Sequence, residues 1–319
     1  MATQLYDALI IGGGPAGLSL ANFLGRQLFR AVVFDSGVYR NTPASHMHNV
    51  LGFDHRNPAD LRAKARGDLK RYGTIEVENT TIERVRKTGD GVFEATDKKG
   101  RSWTGKKLVL AAGVKDIPPG IPGFEDCWGR GIFHCLFCHG FEERGQKSVG
   151  LLATGAGATA VAGPHIANLA LRLSERVVLY TNGVDETEET MKEALAKSRH
   201  HKEGRITIDT RPITKIRMGD ASPSSVVLTF EDGSEVEQGF MVNAPFTKPN
   251  GPFVEQLGLK TTEAGDIETI APLSETSEPG VFAVGDCGSA IKAVAVAAYS
   301  GAMAAGGIAM QIAAAEAAM

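Results

Sequence analysis

The most constraining feature of the chain is a glycine pattern close to its start. The stretch YDALIIGGGPAGLSLANFLGR combines an apolar strand, a glycine turn and an amphipathic helix, and Gly12, Gly14 and Gly17 fit G-x-G-x-x-G. Such glycines permit a tight turn and the close approach of a pyrophosphate, which then lies on the helix N-terminus. The next strand ends in Asp35, an acid placed to bind a ribose hydroxyl. Because a strand precedes the glycines and a helix follows them, we predict a dinucleotide site rather than a turn without a ligand.

The end of the chain indicates which dinucleotide binds. The stretch EPGVFAVGDCGSAIKAVAVAAYSGAMAAGGIA contains a strand that ends in Gly285 and Asp286, followed by a long helix of small residues. It resembles the second FAD signature of flavoproteins that have two dinucleotide-binding domains. In that family the aspartate binds the ribityl and pyrophosphate region, and the helix N-terminus points at the flavin. A strand ending in Ala-Ala-Gly at residues 111–113, with a Pro-Gly crossover after it, matches a third element of the family.

The layout resembles the low-molecular-weight thioredoxin reductases over nearly the whole chain. It implies an α/β fold with two Rossmann-like (doubly wound, three-layer) domains, the second inserted in the first. Two stretches rich in Pro and Gly, DIPPGIPGFED and NAPFTKPNG, have the composition of linkers. We therefore expect a discontinuous FAD-binding domain, residues 1–115 plus 246–319, and an inserted domain, residues 116–245. The resemblance implies these FAD-binding residues: Gly12, Gly14, Pro15, Ala16, Gly17, Asp35, Ser36, Arg40, Asn41, His48, Ile82, Ala112, Gly113, Asp286, Ala293 and Val294.

The inserted domain begins a second glycine loop and then departs from the pattern. The stretch SVGLLATGAGATA gives a strand and a loop, but Pro164 falls where the helix interior should be, at a cost of ~3 kcal/mol. We therefore expect the helix to start near Pro164, at its first position. NADPH-dependent relatives place arginines after the next strand to bind the 2′-phosphate, whereas residues 180–183 here read Tyr-Thr-Asn-Gly. We predict a degenerate NADPH-type site; weak NADPH binding by the remaining glycines is the alternative.

The stretch FHCLFCHG places Cys135 and Cys138 in a C-x-x-C pattern between two histidines. A zinc site would need a second pair of ligands, and Cys127 and Cys287 do not have the matching spacing, so we expect no metal. A purely structural disulfide is disfavoured, because closing so short a loop removes little chain entropy. A redox pair is favoured, because C-x-x-C lowers the pKa of one thiol and holds both sulfurs at exchange distance. We interpret Cys127 and Cys287 as small buried hydrophobic residues.

One position in this segment separates two kinds of enzyme. Thioredoxin reductases follow the second cysteine with an aspartate that acts as general acid, whereas this chain has His139. The patterns CLFCHGFEERG and FDSGVYRNTPASHMHNVLGFDHRNPADL resemble a subgroup that oxidises small dithiols. Its members form the disulfides of epidithiodiketopiperazines such as gliotoxin and of dithiolopyrrolones such as holomycin, and they use oxygen instead of a nicotinamide.

This resemblance implies an FAD-dependent dithiol oxidase of secondary metabolism. The substrate is a small-molecule dithiol that attacks Cys135, Cys138 is the sulfur nearer the flavin, and molecular oxygen becomes hydrogen peroxide. His139 is the expected base and His134 a second candidate, because an imidazole titrates near neutral pH. A homodimer is also expected from the resemblance. Two other functions stay open: an NADPH-dependent disulfide reductase, and a flavin-bound redox sensor without multiple turnover.

Composition bounds the partners and the location. The chain of 319 residues has a formal net charge of -3, so it has no basic excess that would attract nucleic acid or an anionic membrane. Four cysteines are too few for a secreted disulfide scaffold. The N-terminus shows no signal peptide, so we expect a cytoplasmic protein. The Ala- and Gly-rich end predicts a buried helix rather than a membrane span.

Overall fold

The computed structural model describes residues 4–318, which form two compact units. Unit 1 comprises the described residues up to Lys115 together with those from Thr247 onward, and unit 2 comprises Asp116–Phe246. The sequence analysis placed the second boundary after residue 245. Each unit contains a sheet built around parallel strands with helices packed on it, which confirms the predicted fold class; in unit 1 the strands β5 and β4 extend that sheet in antiparallel fashion.

The described chain alternates strands and helices through most of its length. In chain order the strands are β1 (Leu5–Ile11), β2 (Ala31–Phe34), β3 (Ile75–Glu78), β4 (Ile82–Lys87), β5 (Phe93–Asp97), β6 (Ser102–Leu110), β7 (Val114–Ile117), β8 (Ile132–Phe133), β9 (Gln146–Leu152), β10 (Ser174–Tyr180), β11 (Ile206–Asp209), β12 (Ile213–Met218), β13 (Val226–Phe230), β14 (Glu235–Gln238), β15 (Met241–Asn243), β16 (Phe246–Pro249) and β17 (Val281–Ala283). The helices are α1 (Pro15–Arg26), α2 (Pro58–Leu69), α3 (Phe124–Cys127), α4 (Leu136–His139), α5 (Ala162–Ala170), α6 (Asp185–Leu195), α7 (Arg199–Lys202), α8 (Phe253–Leu257) and α9 (Val294–Ala317). Two short 3₁₀ turns, Gly155–Ala158 and Gly285–Gly288, follow β9 and β17.

The sheet of unit 1 brings the carboxyl ends of several strands to one edge. Its order is β3-β2-β1-β6-β5-β4, and β17 also pairs with β6. The strands β3, β2, β1, β6 and β17 run parallel, and the register sets Ile11 beside Phe34 and Leu110. Ligands of open α/β sheets bind outside the carboxyl ends of the strands. Four of the predicted FAD-binding segments, which follow β1, β2, β6 and β17, therefore begin at this edge.

The helices α1 and α9 share one hydrophobic core on this sheet. On α9 the residues Ala304, Ile308 and Ile312 are buried in that core, as predicted for this helix. On the opposite side Tyr299 and Met310 are 59% and 66% exposed. By length and composition alone α9 could cross a membrane. Core helices can be equally long and apolar, and 39% of the apolar stretch of α9 is buried. The small residues of α9 therefore fill a core on one side and leave an apolar surface on the other.

Unit 2 is built on a parallel sheet with the order β11-β10-β9-β15-β8. An antiparallel sheet of β12, β13 and β14 also belongs to this unit, and β7 and β16, at the unit boundary, pair with each other. The helices α5 and α6 contribute Ala167 and Met191 to a core that includes Val149 and Val177 of the sheet. The edge strand β8 leads directly into the cysteine segment.

The start of α5 differs from the prediction. The helix begins at Ala162, and Pro164 occupies its third position rather than its first. The amide groups of the first helical turn have no intrahelical partner, so a proline there removes no helical hydrogen bond. The rule that prolines break helices therefore does not apply at this position.

Candidate active site

At three glycines of the first loop, a side chain would collide with neighbouring atoms. Gly12 has a φ of 124°, and a Cβ at this position would collide with the carbonyl oxygen of Ala111. A Cβ at Gly17 would collide with the carbonyl oxygen of Gly12, so this glycine permits the close packing of α1 on β1. A Cβ at Gly13 would collide with the carboxylate of Asp35. The sequence analysis did not single out Gly13, although the run of three glycines was visible.

The start of α1 leaves room for an anion. Gly14 is the N-cap residue and makes no side-chain cap, and Pro15 opens the helix. No atom lies within 4 Å of the position that a Cβ at Gly14 would take. The amides of the first turn, which include those of Ala16 and Gly17, have no side-chain cap and so can face a phosphate.

Asp35 is buried at the end of β2, where it is 3% exposed. Its carboxylate accepts hydrogen bonds from the Gly37 amide at 2.8 Å and from the Tyr39 hydroxyl at 2.7 Å, and it forms an ion pair with Arg66. The carboxylate is therefore held in one orientation beside the glycine loop. Arg66 lies on α2, distant in sequence, and no local pattern indicated its role.

The turn after β17 joins the last sequence motif to the first. Gly285 faces Ala16 of α1, because a Cβ on this glycine would lie 2.9 Å from the Cβ of Ala16. Asp286 forms an ion pair with Arg40, with 3.3 Å between the guanidinium and the carboxylate. Ala293 is the N-cap of α9 and Val294 is its first residue, again without a side-chain cap. Gly285 thus packs the turn that leads into α9 against the start of α1, next to the glycine loop.

The other predicted residues of the loop after β2 have local partners. The Ser36 hydroxyl accepts a hydrogen bond from the amide of Val38 at 3.3 Å, and the side-chain Oδ1 of Asn41 accepts one from the Arg62 guanidinium at 3.3 Å. His48 lies further along, in a loop closed by bridging between residues 47 and 56. Its Nε2 is 3.0 Å from Nδ1 of His55.

Three of the predicted residues offer main-chain groups rather than side-chain groups. The carbonyl oxygen of Ala112 accepts a hydrogen bond from the side chain of Asn250 at 2.9 Å, and Gly113 has a φ of 68°. The side chain of Ile82 is 4% exposed and belongs to the core that includes Phe34. Ile82 can therefore contact a cofactor only through its main chain.

The residues of unit 1 fit FAD. Two uncapped helix N-termini, α1 and α9, belong to one packed core, and helix N-termini bind the oxygens of a pyrophosphate or a flavin. A buried carboxylate lies on the glycine loop, where a ribose hydroxyl binds in such folds. A side chain would collide with neighbouring backbone at Gly12 and Gly17, whereas Gly14 has open space. This matches the three roles of the glycine pattern: a tight turn at the first glycine, close approach of the pyrophosphate at the second, and close packing of helix on strand at the third.

Cys135 and Cys138 form a disulfide in unit 2, with their Cα atoms 5.3 Å apart. Cys135 is the N-cap residue of the single-turn helix α4, and the amide of Cys138 donates to the carbonyl of Cys135 at 3.3 Å. Both cysteines are half-buried. A Cβ at Gly140 would lie 2.5 Å from the carbonyl oxygen of Leu136, so the chain exits this turn through a residue without a side chain.

The two candidate histidines each have an aromatic neighbour in unit 2. The ring of His139 stacks on Phe133, with centroids 5.3 Å apart and an interplanar angle of 19°. The ring of His134 lies 6.0 Å from that of Trp128. Stacking on a core phenylalanine limits the orientations of the His139 imidazole, next in sequence to Cys138. Thus β8 and α4 together position both histidines and both sulfurs.

The thiols of the two remaining cysteines, Cys127 and Cys287, are buried and unreactive. Cys287 is 1% exposed and its thiol donates to the carbonyl of Leu110 at 3.2 Å. Burial raises the pKa of Cys287 to about 12, and burial also raises the pKa of Cys127. The thiolate is the reactive form of cysteine, so both residues are inert at neutral pH. They match the prediction of small buried hydrophobic residues.

The second glycine loop, Thr154–Thr159, differs from the first in its capping. Thr159 accepts a hydrogen bond through its hydroxyl from the amide of Ala162 at 3.1 Å, and through its carbonyl from the amide of Gly163 at 3.1 Å. These first-turn amides of α5 are the donors that a pyrophosphate would use. Nearby, Arg211 pairs with Asp209 and donates to Ser234 at 2.8 Å, so its guanidinium is engaged by protein groups.

The fold and the site together define a redox protein with a dinucleotide-binding unit and a second unit that carries a C-x-x-C disulfide. Residues 6–301 match the family model of the pyridine nucleotide-disulphide oxidoreductases, and the chain belongs to this family. It is therefore an oxidoreductase and a flavoprotein with FAD as its cofactor.

Several known proteins are similar over almost their full length. The chain is 45% identical to the thioredoxin reductase aclD of Aspergillus oryzae, covering 98% of both chains. It is 42% identical to the thioredoxin reductase sirT of Leptosphaeria maculans, covering 98% of this chain and 96% of sirT. The crystal structure of HlmI superposes with a TM-score of 0.86 at 28% identity, over 98% of this chain and 94% of HlmI. These matches confirm the resemblance to thioredoxin-reductase-like flavoproteins and are consistent with the subgroup indicated by the motifs.

Proposed function

We propose that this protein is an FAD-dependent dithiol oxidase, which forms an intramolecular disulfide in a small-molecule substrate and passes the electrons to oxygen. The observation that carries the proposal is the Cys135–Cys138 disulfide followed by His139, in a unit whose second glycine loop is capped by the protein itself. The motif CLFCHGFEERG, which resembles that of small-dithiol oxidases, supports a substrate from secondary metabolism, such as a reduced dithiodiketopiperazine.

The residues of the disulfide segment perform the exchange. A substrate thiolate attacks the sulfur of Cys135, the Cys135–Cys138 bond breaks, and Cys138 leaves as a thiolate. The second substrate thiol then attacks the mixed disulfide, which closes the product disulfide and releases Cys135. One substrate dithiol is thereby oxidised and one enzyme disulfide is reduced. When bound, FAD supplies the two-electron acceptor that restores the enzyme disulfide, and the overall reaction converts a dithiol and O₂ to a disulfide and H₂O₂.

His139 is proposed as the base that deprotonates the incoming thiols. It directly follows Cys138, and its stacking on Phe133 holds the ring in one plane. His134, on the other side of the pair, is proposed as a second such group.

The cofactor-binding residues are proposed to act at two helix N-termini. The amides of Ala16 and Gly17 would hold the pyrophosphate, and Asp35 the adenosine ribose. Arg40 and Asp286 would order the turn that carries the ribityl contacts, and Ala293 and Val294 would face the flavin. The remaining proposed contacts are those of Gly12, Gly14, Pro15, Ser36, Asn41, His48, Ile82, Ala112 and Gly113.

A homodimer is also proposed. The exposed side of α9 carries Ala295, Tyr299 and Met310 on one helical face, an apolar surface on a helix that is apolar on all sides. Such a helix is normally covered on every side. A second copy of the chain would cover this one.

An NADPH-dependent disulfide reductase is the second candidate. It is favoured by the family match and by relatives named thioredoxin reductase. The engaged amides of Ala162 and Gly163 weigh against it, because a pyrophosphate would have to displace Thr159 from them.

The proposal is tested by oxygen uptake with dithiothreitol as the first probe and a reduced dithiodiketopiperazine as the second. We expect equimolar consumption of dithiol and oxygen and equimolar formation of peroxide, without any nicotinamide. Turnover of a disulfide at the expense of NADPH, together with no oxygen uptake on dithiols, would contradict the oxidase.

Substitution of His139 by asparagine is expected to lower the rate of dithiol oxidation by ~10²–10⁴-fold, the usual contribution of a general base. The loss should be largest at low pH, where the substrate thiols need a base, and should shrink toward the pKa of the thiols. The measurement is the pH profile of oxygen uptake, with His165→Asn as the control because His165 lies on α5 outside the disulfide segment. An unchanged profile in His139→Asn would remove this residue from the mechanism.

A further inference from the structure

A largely buried ion pair holds the turn that carries Asp286. The Lys292 ammonium pairs with Asp266 and also donates to the carbonyl oxygens of Asp286 at 2.7 Å and Ser289 at 2.6 Å. An ammonium has three N–H groups, so each has an acceptor here. The side chains of Lys292 and Asp266 are only 14% and 9% exposed. None of the sequence motifs indicated this pair.

The carboxylate partner is anchored independently of the lysine. The amide of Asp266 donates to the Thr262 hydroxyl at 3.2 Å, and the amide of Thr262 donates to the carbonyl of Asp266 at 2.8 Å. The next residue, Ile267, donates its amide to the carbonyl of Cys287 at 2.8 Å. The segment of Asp266 is thus fixed to the same turn, and Lys292 immediately precedes Ala293, the N-cap of α9.

We propose that Lys292 and Asp266 are a pair of positioning residues for the flavin: they fix the turn of Asp286 and the start of α9, and their opposite charges cancel beside it. The inference rests on the proposed assignment of Asp286, Ala293 and Val294 to FAD. It does not depend on which substrate or electron acceptor the enzyme uses.

The two charges have opposite consequences when one of them is removed. Without the Asp266 carboxylate, an unbalanced buried cation remains beside the turn and favours the reduced, anionic form of a flavin. Without the Lys292 ammonium, an unbalanced carboxylate disfavours that form. If the pair acted only by holding the backbone, removal of either partner would loosen the turn. The flavin potential would then shift in the same direction in both variants.

The experiment compares Asp266→Asn, Lys292→Met and the double variant as holoproteins. At a fixed potential Asp266→Asn is expected to raise the ratio of reduced to oxidised flavin by about tenfold, which is ~30 mV for a two-electron couple. Lys292→Met is expected to lower the ratio by a similar factor and to release FAD more readily on gel filtration. The double variant should return close to the wild-type potential while still losing FAD.

The matched control is the exposed pair of Lys64 and Asp68 on α2, whose side chains are 58% and 29% exposed. Its neutralised variants, Lys64→Met and Asp68→Asn, should leave the flavin potential and FAD retention unchanged. Shifts of the same sign in Asp266→Asn and Lys292→Met, or shifts no larger than in the control, would overturn the proposal. If Lys292→Met does not fold, the sign in the isosteric Asp266→Asn decides alone: a rise supports the proposal, and no change or a fall overturns it.

Neither the flavin potential nor the retention of FAD depends on turnover of a dithiol or of oxygen. A negative result would therefore leave the oxidase proposal intact, and a failure of the oxidase proposal would leave this one testable on the same holoprotein.

Discussion

Replacement of Cys135 by serine is expected to abolish dithiol turnover, by ~10⁴-fold or more, while FAD stays bound. The reason is chemical: a serine oxygen cannot form the disulfide that the substrate attacks, so no electrons enter the enzyme. Cys138→Ser should have the same effect, because the two sulfurs act as one unit and such effects are not additive. The measurement is bleaching of the flavin absorbance by a dithiol without air, followed by its return on aeration.

Cys127→Ala is the matched control for this loss. Cys127 lies in unit 2 but is buried, and burial raises the pKa of its thiol. We expect normal bleaching and a modest loss of stability from the smaller side chain. Rapid turnover by Cys135→Ser would show that the disulfide is not the entry point for electrons.

Gly12→Ala is expected to have the largest effect on folding, at roughly 3 kcal/mol or more, because it combines backbone strain with a collision. The position has a φ of 124° and faces the carbonyl oxygen of Ala111, which β6 holds in place. The variant should be recovered with little flavin and a lower midpoint of thermal unfolding. Both properties are measured on one sample, from the ratio of flavin to protein absorbance and from a melting curve.

Gly67→Ala provides the same chemical change at a harmless position. Gly67 lies within α2, and no atom outside the backbone of that helix lies within 4 Å of its Cβ position. Alanine favours a helix over glycine by ~0.5–1 kcal/mol, so this control should be slightly stabilised. A Gly12→Ala protein that melts like the wild type and keeps its flavin would contradict the described geometry of the loop.

The first glycine loop was predictable because its constraints are local. Gly12, Gly14, Gly17 and the acid at the end of β2 lie in one short stretch, and each role follows from the tight turn that the stretch must make. The same holds for the fold class, since strands and glycine turns recur in the order of a doubly wound sheet.

The partners of these residues were not predictable from sequence. Arg66 reaches Asp35 from α2, and Lys292 reaches Asp266 across a separation of 26 residues, so the pairs exist only once the chain has folded. Neither pair follows a spacing rule such as i to i+4. The sequence singled out Asp35 but showed Arg66, Asp266 and Lys292 in ordinary surroundings, and only the folded chain reveals their pairing.

One prediction failed for a physical reason, and a second was met on one face of a helix only. Pro164 was expected to open α5, yet the helix begins at Ala162, because any position of the first turn tolerates a residue without an amide. The helix α9 was expected to be a buried helix rather than a membrane span, and one face does lie in the core, while Tyr299 and Met310 are exposed. Apolar composition indicates that a surface prefers to be covered, but it does not specify whether the same chain or a second copy covers it.

The most direct measurement of the central claim is the flavin absorbance of the purified protein under anaerobic conditions, first with excess NADPH and then with a small dithiol. The account predicts that the absorbance band persists with NADPH, bleaches with the dithiol, and returns when air is admitted. Prompt bleaching by NADPH would contradict it, because it would show a working nicotinamide site and a reductase in place of the oxidase.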